Sequence, residues 1–280
     1  MNILELLYQG SQKLKARNIN SHQLDSEILL SKVLKKKREE ILIRLNRKLD
    51  QNEISKFNSL ISRRSFYEPI AYILEEKEFW SKMFFVNHAT LIPRPETELM
   101  VERLVKIYKS KAINILDAGI GSGCILISLL TELKKSKGTG IDVSQRALLV
   151  TKKNVKRHKM EDKIRLYKKP FSELYNCKYD LLVSNPPYIM TKDIRNLDED
   201  IRKFEPKNAL DGGNDGLDLI KKVIYKASEI LKVNGRLALE IGNEQFDKVS
   251  KLLLKRNFKT EHKIKDYKDN IRCIISKKTS

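Results

Sequence analysis

Residue types that identify several common classes of protein are scarce or dispersed in this chain of 280 residues. It has only three cysteines, Cys124, Cys177 and Cys273, which are far apart and include no Cys-x-x-Cys pair. This pattern indicates neither a disulfide framework nor a zinc site. The four histidines are equally scattered. We therefore predict a cytoplasmic protein without a bound metal.

The sequence also lacks a long uninterrupted apolar run. The longest candidate, residues 113–130, is broken by Asn114, Asp117, three glycines and two serines, so it does not read as a membrane span. The first ten residues carry Glu5 and no basic segment of the kind that begins an export signal. We predict no association with a membrane.

Charge of one sign is abundant but not concentrated. The formal net charge is +20, which would suit a polyanionic partner. Residues 1–75 hold 14 lysines and arginines against 9 acidic residues, and the rest holds 42 against 27. The two portions are almost equally basic per residue, whereas a nucleic-acid interface concentrates its charge. We predict no specific binding of nucleic acid.

Residues 1–75 contain a single glycine and a single proline, and their apolar residues recur at helical spacing. Asp50 and Glu53 form a capping-box signature at the start of one helix. The segment predicts a small helical domain without catalytic residues of its own, either a module that docks the substrate or a stabilising appendage. Its apolar stripes are Ile3, Leu7 and Leu14, and Leu24, Ile28 and Leu34.

After the helical domain, residues 76–92 predict a β-hairpin linker, because aromatic residues cluster from Phe79 onwards. Residues 93–280 then form a third segment, in which a helix beginning near Pro95 is followed by alternating strands and helices. Such alternation is typical of a mostly parallel sheet covered on both faces. The strands predicted from the residues are 114–118, 138–142, 164–168, 180–184, 236–241 and 271–276.

A glycine-rich loop follows the first of these strands. Gly119, Gly121 and Gly123 are one residue tighter than the G-x-G-x-x-G fingerprint of dinucleotide-binding proteins, and no P-loop lysine follows them. Asp142 ends the next strand about 20 residues on, where a carboxylate can accept from both hydroxyls of a ribose. The loop and the acid together predict a nucleoside cofactor, which at this point is either NAD or S-adenosylmethionine.

A second loop, Asn185-Pro186-Pro187-Tyr188, ends the apolar strand 180–184. Ligands bind at the carboxyl ends of strands in such sheets. The side-chain carbonyl of Asn185 and a backbone carbonyl of the proline pair can accept the two N–H protons of a planar NH2 group, and Tyr188 can pack its ring on a flat substrate. An ordinary proline turn is the alternative.

This tetrapeptide resembles the catalytic motif of class I methyltransferases that modify amide or exocyclic amino nitrogens. Further segments, in the same order along the chain, resemble the bacterial release factor glutamine methyltransferase family. They are Glu78-Phe79-Trp80, Leu91-Ile92-Pro93-Arg94-Pro95-Glu96-Thr97-Glu98, Phe204-Glu205-Pro206, Ala209-Leu210, Gly212-Gly213-Asn214-Asp215-Gly216-Leu217, and Leu239-Glu240-Ile241-Gly242 with Gln245.

The resemblance implies an α/β fold with a Rossmann-like class I methyltransferase sheet, seven-stranded and mostly parallel, behind a small N-terminal helical bundle. It implies that S-adenosylmethionine donates a methyl group to the N5 amide of the glutamine in the Gly-Gly-Gln motif of class I peptide chain release factors. Asn185, Pro186, Pro187 and Tyr188 would hold that glutamine. The implied cofactor residues are Asp117, Gly119, Ile120, Gly121, Ser122, Gly123, Asp142, Phe171 and Asn185.

One segment departs from the family pattern. An acidic residue and a large aromatic or apolar residue usually precede Phe171 near the adenine, whereas this chain has Lys169 and Pro170. Phe171 is then the expected apolar surface for the adenine. The alternative functions are an adenine-N6 or guanine-N2 nucleic-acid methyltransferase, which would use the same motif on a flipped base, and a ribosomal-protein glutamine methyltransferase.

Overall fold

A computed structural model describes residues 1–175 and 178–280. Within these ranges the chain divides into two compact units. One comprises Met1–Glu75 and Asp198–Phe204, and the other comprises Glu76–Leu197 and Glu205–Ser280. The short segment 198–204, which we had assigned to the methyltransferase domain, therefore groups with the helical unit, and the hairpin groups with the sheet.

The helical unit is built from six of the helices found in the described residues. They are α1 (Ile3–Lys15), α2 (His22–Leu34), α3 (Arg38–Leu42), α4 (Gln51–Ser65), α5 (Ile70–Leu74) and α9 (Glu199–Phe204). The capping box predicted at the start of α4 is confirmed: the Asp50 side chain accepts from the Glu53 N–H at 2.8 Å, and Glu53 accepts from the Asp50 N–H at 3.1 Å. Satisfying two otherwise unpaired donors fixes where α4 begins.

The apolar stripe that we predict on α2 is wrong at Leu24, whereas Ile28 is half-buried and Leu34 packs against the core of the helical unit. Leu24 is 44% exposed, and the helix buries Leu29 and Leu30 together with Asp25. The Asp25 carboxylate accepts from Arg64 of α4 at 2.7 Å and from the Ser21 hydroxyl at 2.8 Å. Because this ion pair satisfies a buried charge, a polar residue occupies the inner face of the helix, where periodicity predicts an apolar one.

The second unit contains a hairpin and a sheet with helices on both faces. Its helices are α6 (Pro95–Tyr108), α7 (Cys124–Glu132), α8 (Gln145–Arg157), α10 (Asp218–Ile230) and α11 (Phe246–Leu254). Its strands are β1 (Glu76–Phe79), β2 (Lys82–Phe85), β3 (Asn114–Ala118), β4 (Lys137–Asp142), β5 (Ile164–Lys168), β6 (Tyr179–Ser184), β7 (Leu231–Glu240), β8 (Phe258–Lys265) and β9 (Ile271–Lys278).

The described residues of this unit form a seven-stranded sheet in the order β5-β4-β3-β6-β7-β9-β8, in which β9 runs in the opposite direction to the other six strands. The predicted α/β fold is confirmed. Successive residues of β6 alternate between two cores, since Leu181 and Val183 pack beneath α6 and α7, while Leu182 packs beneath α10 and α11. A strand buried on both faces reads as a continuous apolar run, which is why β6 was predictable.

Strand order reverses between β3 and β6. The chain proceeds from β3 to β4 and β5 on one side, and from β6 to β7 on the other. At such a switch point the loops leaving two adjacent strands diverge and leave a crevice at their carboxyl ends. Both sequence motifs follow these two strands, so the topology brings them together.

The described part of the chain contains no helix that is long and apolar enough to cross a membrane. Across residues 1–175 and 178–280 there is also no cluster of His, Cys, Asp and Glu suited to a metal ion. Cys124 and Cys273 are buried free thiols. Cys177, the third cysteine for which we predict no disulfide, lies outside the described residues.

Gly10 lies where α1 meets α2 and α4. A Cβ there would come within 2.6 Å of the Phe57 ring and 2.8 Å of the Ser26 hydroxyl. We predict that Gly10→Ala destabilises the helical unit by about 1–3 kcal/mol through overpacking, despite a gain in helix propensity of about 1 kcal/mol. Hydrogen exchange of the α1 and α4 amides would measure it, and slower exchange in the variant would contradict the prediction.

Candidate active site

A cavity of about 1030 Å³ opens at the carboxyl ends of β3, β4 and β6, at the upper end of the size range of sites for small molecules. The hydroxyl of Ser184, at the end of β6, donates to the Ala118 carbonyl at the end of β3 at 2.6 Å. Both groups are buried. This bond fixes the distance between the two strand ends from which the glycine loop and the Asn-Pro-Pro-Tyr loop depart.

The glycine loop has its backbone exposed towards the cavity. Gly119, Gly121 and Gly123 all have positive φ, at 80°, 55° and 82°, a region that other residues enter only with strain. At Gly119 a Cβ would meet no atom within 4 Å, so the open space there is available to a ligand. Ile120 and Ser122 complete the cavity side of the loop.

The loop is held from behind by α8. The Thr151 hydroxyl donates to the Gly121 carbonyl at 2.7 Å, and the Asn154 side chain donates to the Ser122 carbonyl at 2.8 Å. Asn154 also exchanges two hydrogen bonds with the backbone of Phe85 in β2. We did not predict either residue, because a buried Thr or Asn in a helix gives no signal in the sequence that separates it from a solvent-facing one.

Asp142 lines the cavity at the end of β4. One of its carboxylate oxygens accepts from the Gly121 N–H at 3.1 Å and the other from the Ser144 N–H at 2.8 Å. Burial raises the pKa of Asp142, and these N–H groups partly oppose the rise by stabilising the charge. Each oxygen keeps a lone pair, so the side chain can still accept from a diol while also shaping the loop.

Asp117 and Gly123 do not line the cavity. Asp117 is 1% exposed, and neither of its oxygens has a hydrogen-bond partner in the described structure. Burial raises the pKa of this carboxyl to about 7, and the charge of Asp142 adds to the rise. The nearby Leu126 N–H lowers the pKa, although it does not meet the geometry of a hydrogen bond. The raised pKa means that Asp117 exchanges its proton near neutral pH and that part of the population is uncharged there.

Phe171 lines the cavity beside Lys169 and Pro170, on the side of β4 and β5. The Lys169 N–H donates to the Asp142 carbonyl at 3.2 Å, and its ammonium lies 5.6 Å from the centre of the Tyr167 ring, which is 44% exposed. The lysine therefore has an aromatic partner on the outer surface, and Phe171 supplies an apolar surface near Asp142.

The Asn-Pro-Pro-Tyr loop contributes Asn185, Pro186 and Pro187 to the cavity lining. The Asn185 carboxamide is half-buried and makes no hydrogen bond to any of the described residues, so all its donors and acceptors are available to a ligand. The Pro187 carbonyl faces Gly212, where a Cβ would lie only 2.8 Å from that oxygen.

The side chain of Gln245 holds the Asn-Pro-Pro-Tyr loop through hydrogen bonds. Its amide donates to the Tyr188 carbonyl at 3.0 Å and to the Gly216 carbonyl at 3.2 Å, and accepts from the Gly242 N–H at 2.8 Å. One buried side chain thereby ties three loops together. Gln245 and Gly216 belong to segments noted only for their resemblance to the family.

Tyr188 lies outside the cavity lining, although we expected its ring against the substrate. The ring packs on the core beneath α10, and its hydroxyl lies 3.4 Å from Glu240 at the end of β7. Arg94 does line the cavity, and its guanidinium pairs with Glu205, whose side chain is 1% exposed. The second Glu205 oxygen accepts from the Ile92 N–H at 3.2 Å, which fixes the Pro-Arg-Pro segment.

These residues fit a nucleoside cofactor. The cavity combines a bare glycine loop, a carboxylate for a ribose diol, the Phe171 ring and a free carboxamide, with a second buried carboxyl, Asp117, behind the loop. A carboxylate that accepts from a ribose diol also occurs in dinucleotide sites; the tighter glycine spacing and the Asn185 carboxamide in the cavity lining favour a methyl donor. The fold and the site together define a class I methyltransferase.

Comparison with known proteins gives the family. Residues 5–74 match the PrmC N-terminal domain and residues 95–201 match the methyltransferase small domain. The chain is 39% identical over 278 residues to the release factor glutamine methyltransferase of Buchnera aphidicola subsp. Schizaphis graminum, covering 99% of this chain and 100% of that one. The chain belongs to the release factor glutamine methyltransferase family.

Other relatives differ in length or share only the fold. The bifunctional methyltransferase of Rickettsia typhi is 36% identical over 293 residues, which cover 98% of this chain but 57% of that protein. The solved structure of the hMettl16 catalytic domain, in complex with an RNA hairpin, superposes with a TM-score of 0.59 at 14% identity, covering 81% of this chain and 82% of that one. The latter similarity supports the fold alone.

Asp142→Ala tests the proposed ribose contact. We predict that it weakens S-adenosylmethionine binding by about 1.5–3 kcal/mol, the usual cost of losing a charge-assisted hydrogen bond, with a further loss from the freed Gly121 N–H. Calorimetry would measure the affinity, with Asp162→Ala, an exposed position, as the matched control. Unchanged affinity, or equal affinity for NAD, would show that Asp142 does not have this role.

Proposed function

We propose that the protein transfers a methyl group from S-adenosylmethionine to the N5 amide nitrogen of the glutamine in the Gly-Gly-Gln motif of class I peptide chain release factors. The observation that carries the proposal is the unpaired Asn185 carboxamide, which lines the cavity at the end of β6 beside the glycine loop. Relatives that match the whole length of the chain bear the name release factor glutamine methyltransferase.

The proposed chemistry is mostly positional. An amide nitrogen is a weak nucleophile, because its lone pair is delocalised into the carbonyl. S-adenosylmethionine supplies an electrophilic methyl group when bound. Asn185 would accept one N–H of the target amide and a backbone carbonyl of the proline pair the other, which orients the nitrogen and weakens its conjugation. Alignment of this kind can contribute up to about 7–11 kcal/mol in model systems.

The rigidity of the Asn-Pro-Pro-Tyr loop supports this role. Ile189 pairs with Asp211 in a parallel bridge, the Ile189 N–H donates to the Leu210 carbonyl at 3.1 Å, and the Gly212 N–H donates to the Ile189 carbonyl at 2.8 Å. The Thr191 N–H donates to the Gly213 carbonyl at 3.0 Å. These bonds hold the residues that follow the loop, and Gln245 holds the carbonyl of its last residue, Tyr188. A loop restrained at this end loses less conformational entropy when a substrate binds.

We predict that Asn185→Ala lowers turnover on a release factor by at least about 100-fold, which corresponds to about 2.7 kcal/mol of transition-state stabilisation. Asn185→Asp keeps an acceptor oxygen and should be impaired less. Transfer of tritium from labelled S-adenosylmethionine measures both, and calorimetry should find that both variants still bind the cofactor.

Substrate variants separate the target from its alternatives. Replacing the glutamine of the Gly-Gly-Gln motif should abolish labelling by the unaltered enzyme, whereas DNA and ribosomal RNA offered in parallel should stay unlabelled. Labelling of the altered release factor, or near-normal turnover by Asn185→Ala, would contradict the assignment. Labelled nucleic acid would favour the base-modifying alternative.

We further propose that the helical unit docks the release factor. It has no catalytic constellation, yet it exposes large apolar side chains, among them Leu4, Tyr8 and Ile43, which are 52%, 64% and 79% exposed. The Leu4 N–H donates to the Leu45 carbonyl at 3.1 Å, so the start of α1 and the residues after α3 are neighbours. Aromatic and apolar residues in an exposed patch are typical of protein interfaces.

Tyr8→Ser combined with Ile43→Ser tests docking without cutting the chain, which would separate residues 198–204 from the rest of their unit. We predict that KM for the release factor rises at least about tenfold, the effect of losing about 1.4 kcal/mol, while cofactor affinity and kcat stay unchanged. Leu254→Ser, at a position 73% exposed in the sheet unit, is the control. An unchanged KM would leave the unit as a stabilising appendage.

A further inference from the structure

Two of the segments that resemble the family, the one containing Thr97 and the one containing Glu240, have no part in the mechanism above. Their side chains meet in the interior. Glu240 is the last residue of β7 and is 4% exposed, and one of its oxygens accepts from the Thr97 hydroxyl at 2.5 Å. Its other oxygen lies 3.4 Å from the Tyr188 hydroxyl. One carboxyl thus connects the first turn of α6 with the Asn-Pro-Pro-Tyr loop.

We propose that Glu240 is a positioning residue for methyl transfer, whose ionised carboxylate accepts from the Thr97 and Tyr188 hydroxyls together and so holds both hydroxyls in one orientation. The inference rests on the proposed function. It assigns to Glu240 and Thr97 the orientation of the Tyr188 side chain, which neither the glycine loop nor Asn185 contacts through a hydrogen bond in the described structure.

The hydrogen-bonding capacity of a carboxylate explains how Glu240 orients the two hydroxyls. An ionised carboxylate only accepts, so each hydroxyl must direct its single proton towards Glu240. Thr97 lines the cavity, and with its proton so used it offers only lone pairs to a ligand. A protonated Glu240 would instead donate from one oxygen, and one of the two hydroxyls would have to turn round.

Tyr188 connects this arrangement to the target amide. Its carbonyl accepts from the Gln245 amide at 3.0 Å, and its hydroxyl makes a longer contact of 3.4 Å with Glu240. The residue is therefore restrained at its backbone and, more weakly, at its ring. Asn185 and the proline pair immediately precede it in the chain. A displacement of the Tyr188 ring therefore shifts the groups that hold the amide, and a misplacement of the order of 1 Å can cost about 100-fold in rate.

Burial raises the pKa of Glu240, while the Thr97 hydroxyl, the charge of Arg272 and the Tyr188 hydroxyl oppose the rise. Glu240 is protonated below this raised pKa and ionised above it, so the acceptor-only form is lost as the pH falls through it. Three further titratable groups influence this carboxyl or are influenced by it, and they lie on α6, α7 and β9: Glu96, Cys124 and Cys273.

Glu240→Gln tests the proposal, because the amide is nearly isosteric and permanently combines one acceptor with one donor, as the protonated acid does. In release factor labelling we predict a kcat at least about tenfold lower at pH 8, the effect of one lost hydrogen bond. KM and calorimetric cofactor affinity should change less than about twofold. The kcat of the unaltered enzyme should decrease as the pH is lowered, beginning above the usual range for a glutamate. Glu240→Gln should remove the part of this decrease that Glu240 causes, whereas Asp117 and Asp142, whose pKa values are also raised, keep their part.

Glu261→Gln is the matched control. Glu261 of β8 pairs with Arg236, which lies in the middle of β7, at 2.7 Å. The same chemical change there should leave kcat and its pH profile unaltered. Thr97→Val and Thr97→Ser give a second test should Glu240→Gln fail to fold: valine, which lacks the hydroxyl, should lower kcat as the glutamine does, and serine, which keeps it, should restore most of it.

A readout without turnover is a carbon-13 NMR titration of glutamate-labelled protein in the absence of cofactor. It should contain one carboxyl with a raised pKa that disappears in Glu240→Gln. Wild-type kcat in Glu240→Gln, a pH profile of kcat identical to that of the unaltered enzyme, or a loss of cofactor affinity equal to the loss of kcat would overturn the proposal. A wild-type enzyme that labels no release factor would instead refute the proposed function, while the titration would still test the state of Glu240.

Discussion

The pairing of β3 with β6 is the constraint on which the site depends. Because these strands are parallel neighbours at the point where strand order reverses, their carboxyl ends meet and their loops must diverge. The buried bond from Ser184 to the Ala118 carbonyl fixes the separation of the strand ends at the last residue of each. The glycine loop and the Asn-Pro-Pro-Tyr loop are thus positioned by the backbone, before any side chain of the site makes a contact.

Polar side chains that do not line the cavity then hold the two loops through hydrogen bonds. Thr151 and Asn154 of α8 hold the glycine loop through its carbonyls, and Gln245 holds the second loop in the same way. Burying such groups is costly unless each is satisfied. Their hydrogen bonds are consequently specific to one arrangement of the loops, which leaves the Asn185 carboxamide free to bind a ligand.

Much of this could be predicted from the sequence. The strands of the central sheet are apolar runs between glycine or polar turns, and the two loops contain glycines and prolines at strand ends, where backbone requirements limit the choice of residue. β8 was not predicted from the residues, because Thr260 and His262 occupy two of its inner positions and the sequence therefore lacks an alternation of apolar and polar residues. The prediction of which α2 residues face the core was wrong because Asp25 is buried in an ion pair with Arg64, which is 39 residues away in the chain. A periodic pattern of apolar residues identifies a polar residue as exposed. An ion pair between two helices can bury such a residue, and it forms only when the helices pack together.

Dependence on tertiary contacts is also the reason why the sequence alone did not assign a function to Glu240. A glutamate at the end of a strand usually faces solvent, and nothing in the residues around it predicts burial. Its partners come from α6 and from the loop after β6, which are separated from it by 143 and 52 residues. A buried carboxyl that is shared by two motifs is more restrictive than an apolar contact, because two hydroxyl protons must be directed at it simultaneously. The geometry of the target amide then depends on a charge that lies outside the cavity altogether.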